Sequence, residues 1–243
     1  MNTIPLAPYI QERILSGPLT QEDVASKPVN NEEDTPLCSL DSNNCKIVST
    51  GDSRFGGSKI ESPVPITRMR QPLYDGLLLA VENLPDKCGI AVYEGHRPLS
   101  VQRQYFDEKV NELKEKNPNL TDAEAKTEAS IFVSNPDGQL VPPHSTGGAI
   151  DILLFNYRNG EPDDTFTFLD TGKFGAIFGP NPHPETLSTK DLSKIQLSNR
   201  HTMLKAMLDA GFYNYGKEFW HYAMGDQMSA YLSGEPSAKF GAI

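Results

Sequence analysis

From Pro72 onward the apolar residues fall into clean periods. Leu73, Leu77, Ala80, Val81 and Leu84 recur at helical spacing, and Pro72 suits a first helical turn, so a helix is predicted there. Ile90 to Glu94 alternates as a short strand. A second helix runs from about Ser100, with Val101, Tyr105, Val110 and Leu113 on one stripe, and stops before Asn117-Pro118. Thr121 and Glu124 form a capping-box pattern that opens a third helix ending near Ser134. Ala149 to Phe155 is apolar and branched except at Asp151, which reads as a buried strand. A fourth helix spans Ser198 to Ala210 with Gly211 as its stop, and the aromatic run Phe219 to Ala223 reads as a strand. Helices packed on a small central antiparallel sheet make this an α+β fold in a single domain.

The flanks lack such periods. Residues 1–45 are polar and rich in Pro, Asn, Asp and Glu; a short helix over Ile4 to Leu15 is followed by an N-terminal arm wrapped loosely on a domain of residues 46–243. Gly51 to Lys59 is a glycine-rich loop without the Gly-Lys-Ser/Thr ending of a phosphate loop. A long Gly/Pro loop covers Tyr157 to Thr186. No internal repeat is present.

Composition narrows the partners. The 243 residues are 37% hydrophobic and 22% charged, the balance of a globular domain. The net charge of -10 leaves no basic stripe for phosphates, which argues against nucleic acid. No apolar run reaches the roughly 18 residues of a membrane span. Met1 to Pro8 has neither a basic n-region nor an apolar h-region, so a cytoplasmic location is expected, with the periplasm as the alternative if a leader has been removed. Cys38 and Cys45 bracket a polar loop and are either a disulfide or a pair of free thiols, whereas Cys88 reads as an inert buried thiol.

The chemistry begins at Asp151. A carboxylate in an apolar strand is costly to bury unless a cation pairs with it. A salt bridge or backbone hydrogen bonds would serve, but His144 lies seven residues upstream, and Gly147-Gly148 lets the backbone bend between the two. Seventy residues past Asp151 stands His221, with Glu218 just before it. A strand period of two would put Glu218 and His221 on opposite faces, so Glu218 must sit in a turn or bulge at the strand's entry. His144, Asp151 and His221 as ligands, with Glu218 left over, are the parts of a hydrolytic zinc site: three protein ligands, an open position for water, and a base. One carboxylate and two imidazoles suit zinc better than calcium, which wants an all-oxygen shell. Arg97, restricted to extended forms by Pro98, follows the strand at Ile90 and offers a guanidinium for an oxyanion; an Arg-Pro at a strand end is otherwise structural. His96 reads as packing beside the site, His183 as a solvated loop residue between prolines, and His201 as a helix-surface or capping residue.

The series Glu94-Gly-His96-Arg97-Pro98, His144-Ser-Thr-Gly-Gly-Ala-Ile-Asp151 and Glu218-Phe-Trp-His221-Tyr, with Arg54-Phe-Gly-Gly57 upstream, resembles the D-alanyl-D-alanine dipeptidases, the zinc dipeptidases of vancomycin resistance. The resemblance covers residues 46–232 and implies a compact α+β domain with one zinc held between sheet and helices. It implies His144, Asp151 and His221 as zinc ligands, Glu218 as catalytic base and Arg97 as the residue stabilising the transition state. The implied reaction is hydrolysis of the small dipeptide D-Ala-D-Ala to two D-alanines by metal-bound water, in a closed pocket that counts substrate length. A zinc D,D-carboxypeptidase or endopeptidase acting on peptidoglycan stem peptides, with an open groove, is the alternative; a non-enzymatic metal-binding module is a third. The chain departs from the family at Glu94 and His96, where Asp and Tyr are usual, and at Pro142, where a pocket serine is common. Asp170 is the nearest match to the family's ammonium-binding carboxylate.

Overall fold

A computed structural model describes residues 8–31, 35–40, 44–49, 67–157, 167–172 and 192–243. In chain order these form α1 (Pro8–Gln11), β1 (Ile14–Leu15), α2 (Glu22–Ala25), β2 (Leu37–Cys38), β3 (Ile47–Ser49), β4 (Met69–Arg70), α3 (Gln71–Glu82), β5 (Cys88–Glu94) and α4 (Leu99–Lys116). There follow α5 (Asp122–Ala129), a 3₁₀ turn (Pro143–Thr146), β6 (Ala149–Asn156), β7 (Thr167–Phe168), α6 (Lys194–Asp209), β8 (Tyr213–Tyr215), β9 (His221–Ala223) and α7 (Gln227–Ser233). The loop at 51–59, His183 and most of the loop at 157–186 lie outside the described residues.

The seven-stranded sheet has the order β1-β8-β9-β6-β5-β3, with β7 also on β6. Its centre is antiparallel, as the α+β reading expects, and its two outermost pairings, β1 with β8 and β3 with β5, are parallel. β5 and β6 are hidden almost end to end, which explains their unbroken apolar runs. α3 and α6 cover one face and bury Leu73, Leu77, Met203, Leu204 and Met207 against Ile90, Ile152 and Leu154. Burying one such side chain contributes about 1.5–3 kcal/mol.

Where local structure departs from the sequence pattern, a partner or a cap explains it. Ile14 and Leu15 leave the expected first helix because they pair with Asn214 and Tyr215. The N-terminal stretch is also anchored by Val24, fully buried against Leu140, Ala149 and Met228. α6 starts at Lys194 rather than Ser198, because Ser193 and Gln196 form a capping box. α5 ends at Ala129, and the following residues instead form a wall described below. On α4 the buried aromatic is Phe106, which frees Tyr105 to face a cavity. All three cysteines are free, and burial pushes the Cys88 thiol up to about 11. Among the described residues no helix is long and apolar enough to cross a membrane.

Candidate metal centre

Cross-strand register builds the site. β6 and β9 pair antiparallel with Asp151 directly opposite His221, so the two side chains stand on one face as neighbours. His221 Nδ1 lies 3.0 Å from Asp151 Oδ1. On the other side, the 3₁₀ turn before β6 delivers His144. Gly147 ends that turn at φ 67°, where a Cβ would come within 2.5 Å of Leu37, so the bend requires glycine. His144 Nδ1 donates to the Gly95 carbonyl at 2.9 Å, which orients the ring and leaves Nε2 facing Asp151 Oδ1 at 3.4 Å. One carboxylate oxygen is thus shared by two imidazoles. The three ligand atoms lie within 4.8 Å of one another, all on buried residues. Burial pushes Asp151 up, but the two histidines outweigh it and hold the carboxyl well below its ordinary range. The Nε2 of His221 is buried without a partner, a further mark of a site shaped for more than hydrogen bonds between its own members. Two imidazoles and one carboxylate fit a zinc ion.

Glu218 occupies the turn that the strand argument requires. Its N–H donates to the Tyr215 carbonyl at 2.8 Å, its carbonyl accepts from His221 N–H at 3.0 Å, and the Asn214 side chain donates to the carbonyls of both Glu218 (3.2 Å) and His221 (2.9 Å). These contacts swing the carboxylate round to the metal-ligand face, with Oε2 3.9 Å from His221 Nδ1. The side chain keeps 31% exposure. Burial by the surrounding protein raises its pKa, Asp151 adds to the rise, and His221, His144 and Arg97 oppose it.

Arg97 owes its position to a β-bulge. Val92 pairs with Ile152, but Glu94, not Tyr93, pairs with Asp151. The extra residue lets Tyr93 and Glu94 both reach the cavity wall. Glu94 then grips Arg97 with two bonds, Oε1 to Nε at 2.6 Å and Oε2 to Nη2 at 2.5 Å. Gln102 accepts from Nη1 at 2.8 Å, and Tyr105 stacks 4.6 Å from the guanidinium carbon. A guanidinium has about five N–H donors, so the outer edge of Arg97 retains N–H groups beyond these contacts.

All five residues line one cavity of about 500 Å³. Its outer wall comes from α4 (Tyr105, Glu108, Lys109, Glu112), from Ser130 to Ser134, and from Pro18 to Thr20.

The chain is 27% identical over 170 residues to the D-alanyl-D-alanine dipeptidase of Synechocystis sp., covering 65% of this chain and 68% of that one. It is 27% identical over 147 residues to the D-alanyl-D-alanine dipeptidase of Enterococcus faecalis, covering 57% and 63%. Over these stretches the chain is similar to D-alanyl-D-alanine dipeptidases. No model of a known protein family matches it. A crystal structure of the vancomycin-resistance D,D-pentapeptidase VanY with Zn(II) aligns at 18% identity and a TM-score of 0.41, over 85% of this chain and 89% of that one.

Several other residues singled out in the sequence do not line the cavity. Asp170 is exposed and engaged, its carboxylate accepting from Gly172 N–H (3.0 Å) and Gln196 Nε2 (3.1 Å), and it does not line the cavity. His96 is buried and packs beside the site, its Nε2 3.2 Å from the Ile243 carbonyl oxygen. Pro142 precedes the 3₁₀ turn and offers no hydroxyl. His201 is half-buried on α6, and Arg54 to Gly57 lie outside the described residues. Sequence reasoning missed Glu94 as the holder of Arg97 and Asn214 as the clamp on the Glu218 turn. A bulge and a long-range side-chain contact leave no period to read.

Proposed function

We propose that this protein is a zinc-dependent D,D-peptidase that hydrolyses D-Ala-D-Ala, with His144, Asp151 and His221 holding the ion, Glu218 as general base and Arg97 as oxyanion partner. The observation that carries the reading is a buried carboxylate shared by two imidazoles, with Glu218 beside this trio and one cavity open to all. Bound zinc would acidify a water molecule and polarise the scissile carbonyl. Glu218 takes the proton of the attacking water and returns it to the leaving amine. The outer N–H groups of Arg97 meet the charge that develops on the carbonyl oxygen, already oriented by Glu94 and Gln102 and so needing no reorganisation. Conversion of the two curated relatives' activity to this chain rests on the shared motifs, since the chain spans 68% and 63% of their lengths.

A second reading, cleavage of peptidoglycan stem peptides, is favoured by the cavity. Its volume of about 500 Å³ is more than two alanines fill and falls in the range of about 300–1,000 Å³ typical of larger ligands. The test is to incubate zinc-loaded protein with D-Ala-D-Ala, L-Ala-L-Ala, N-acetyl-D-Ala-D-Ala and a stem pentapeptide. Cleavage of the first alone supports the dipeptidase; cleavage of the last two supports the stem-peptide enzyme; cleavage of only the L,L peptide overturns both.

Arg97 separates catalysis from structure. Arg97→Ala is expected to lower kcat/KM by about 10²–10³-fold, the scale of losing one oxyanion donor. It also strands Glu94, whose side chain is only 8% exposed beside an Arg97 at 14%, at a stability cost of about 3–5 kcal/mol. Arg97→Lys keeps the charge but not the planar fork, so it should recover most of the stability and little of the rate. Denaturant melts run beside steady-state kinetics check this, and an Ala variant with unchanged rates would assign Arg97 to structure.

A further inference from the structure

We infer that Lys217 is the anchor for the free C-terminal carboxylate of the substrate, and so makes the enzyme an exopeptidase of acidic C-termini; this rests on the peptidase reading above. Among the described residues, three side chains of fixed positive charge line the cavity: Arg97, Lys109 and Lys217. Two of them are already engaged. Arg97 is gripped by Glu94 and Gln102. Lys109 donates to Glu112 Oε2 at 3.0 Å and sits 4.5 Å over the Phe132 ring. Lys217 is half-buried in the cavity wall, yet makes no ion pair or hydrogen bond with its side chain among the described residues. An ammonium without a partner among the described residues, in a wall that also carries Glu94, Glu108, Glu112, Asp151 and Glu218, is a positive charge available among carboxylates.

The position fits the chemistry of the leaving group. Lys217 precedes the general base on a turn fixed from both sides, by Gly216 N–H on the Leu15 carbonyl at 2.7 Å and Glu218 N–H on the Tyr215 carbonyl at 2.8 Å. Gly216 is packed so closely that an added Cβ would lie 2.8 Å from the Leu15 carbonyl oxygen, so this turn holds its place. Glu218 delivers a proton to the leaving nitrogen. In a peptide cut one residue from its end, the terminal carboxylate is separated from that nitrogen by a single α-carbon. It therefore arrives beside Glu218, where Lys217 stands. A peptide without that carboxylate leaves Lys217 unpaired, which turns a contact into a length check.

The test measures equilibrium binding to the zinc-loaded Glu218→Gln protein, with Lys217 intact or changed to Met or Arg. The ligands are D-Ala-D-Ala, its C-terminal amide, and the L,L forms of both. With Lys217 the acid should bind about 10–100-fold more tightly than the amide, the value of one hydrogen bond to a charged group. Lys217→Met should abolish that ratio by weakening the acid alone, and Lys217→Arg should restore most of it. In kinetics with otherwise native protein, Lys217→Met should raise KM for the dipeptide more than it lowers kcat. An acid-to-amide ratio unchanged in Lys217→Met overturns the assignment. The stereochemical arm is separate: L,L binding as tight as D,D, with the ratio still dependent on Lys217, overturns the D,D reading and keeps the anchor.

Discussion

Glu218→Gln is expected to lower kcat/KM by about 10²–10⁴-fold, the contribution of a positioned general base, while zinc content stays at one ion per chain. The metal survives because the carboxylate is no member of the trio: His144, Asp151 and His221 meet without it, and its nearer oxygen is 3.9 Å from His221 Nδ1. The same residue should set the acid limb of the pH profile. Only the ionised carboxylate can take a proton, and in the metal-free protein burial raises its pKa above the ordinary value. Activity should therefore fall as pH falls and the carboxylate takes up its proton. The stability consequence has the opposite sense. A carboxylate that holds its proton more tightly in the folded state costs nothing below its unfolded pKa, and its cost is complete above its folded pKa. At neutral pH the metal-free Gln variant, lacking that charge, should melt above the wild type. Calorimetry of both proteins checks this; a lower Tm would mean that Glu218 is held by a favourable pairing with the neighbouring histidines. Wild-type turnover in the variant would remove it from the mechanism.

The trio was legible because each member breaks a pattern. Asp151 is the one polar position in an otherwise apolar strand, His144 stands before the paired glycines that a sharp bend needs, and His221 follows an acid at a spacing that a strand cannot use on one face. α3 and α4 were legible because long amphipathic helices repeat their period several times. The rest lacked repetition. β1, β4 and β7 are two residues long and β8 three, too short to show alternation. They exist because a partner strand exists: Ile14 is a strand residue through Asn214, two hundred positions away. The bulge at Tyr93 decides which of two adjacent residues meets Asp151, and neither composition nor period encodes that choice. Asp170 shows the converse limit. The dipeptidase resemblance offered it only as the nearest match to a ligand-binding acid, whereas its local partners, Gly172 and Gln196, make it a cap-like acceptor at the start of α6.

Asp151→Asn is expected to abolish zinc retention and bring turnover to background. Asn preserves the volume and one oxygen, so the strand and its pairing with β9 should persist; what is lost is the only negative charge among the three ligands. The loss should exceed the roughly 10–100-fold in metal affinity that removing an outer hydrogen-bond partner costs, because here the ligand itself is neutralised. In the native site the depressed pKa of Asp151 arises from the two imidazoles that share its Oδ1, at 3.0 and 3.4 Å. That preference is the same one that readies it for a divalent cation: an environment that stabilises the anion against its burial penalty also stabilises the metal-bound form. The readout separates binding from catalysis. Added zinc should raise the Tm of the wild type in proportion to the logarithm of its concentration above Kd, and the Asn variant should show no such shift at the same concentrations. The acid side gives a second check. A depressed carboxylate lends stability that is present above its unfolded pKa and lost as pH falls through its folded one, so the metal-free wild type should lose an advantage over the Asn variant as it is acidified. An Asn variant that binds zinc stoichiometrically, with a thermal shift equal to that of the wild type, would take the carboxylate out of the metal shell and leave the two imidazoles without the anion that gathers them.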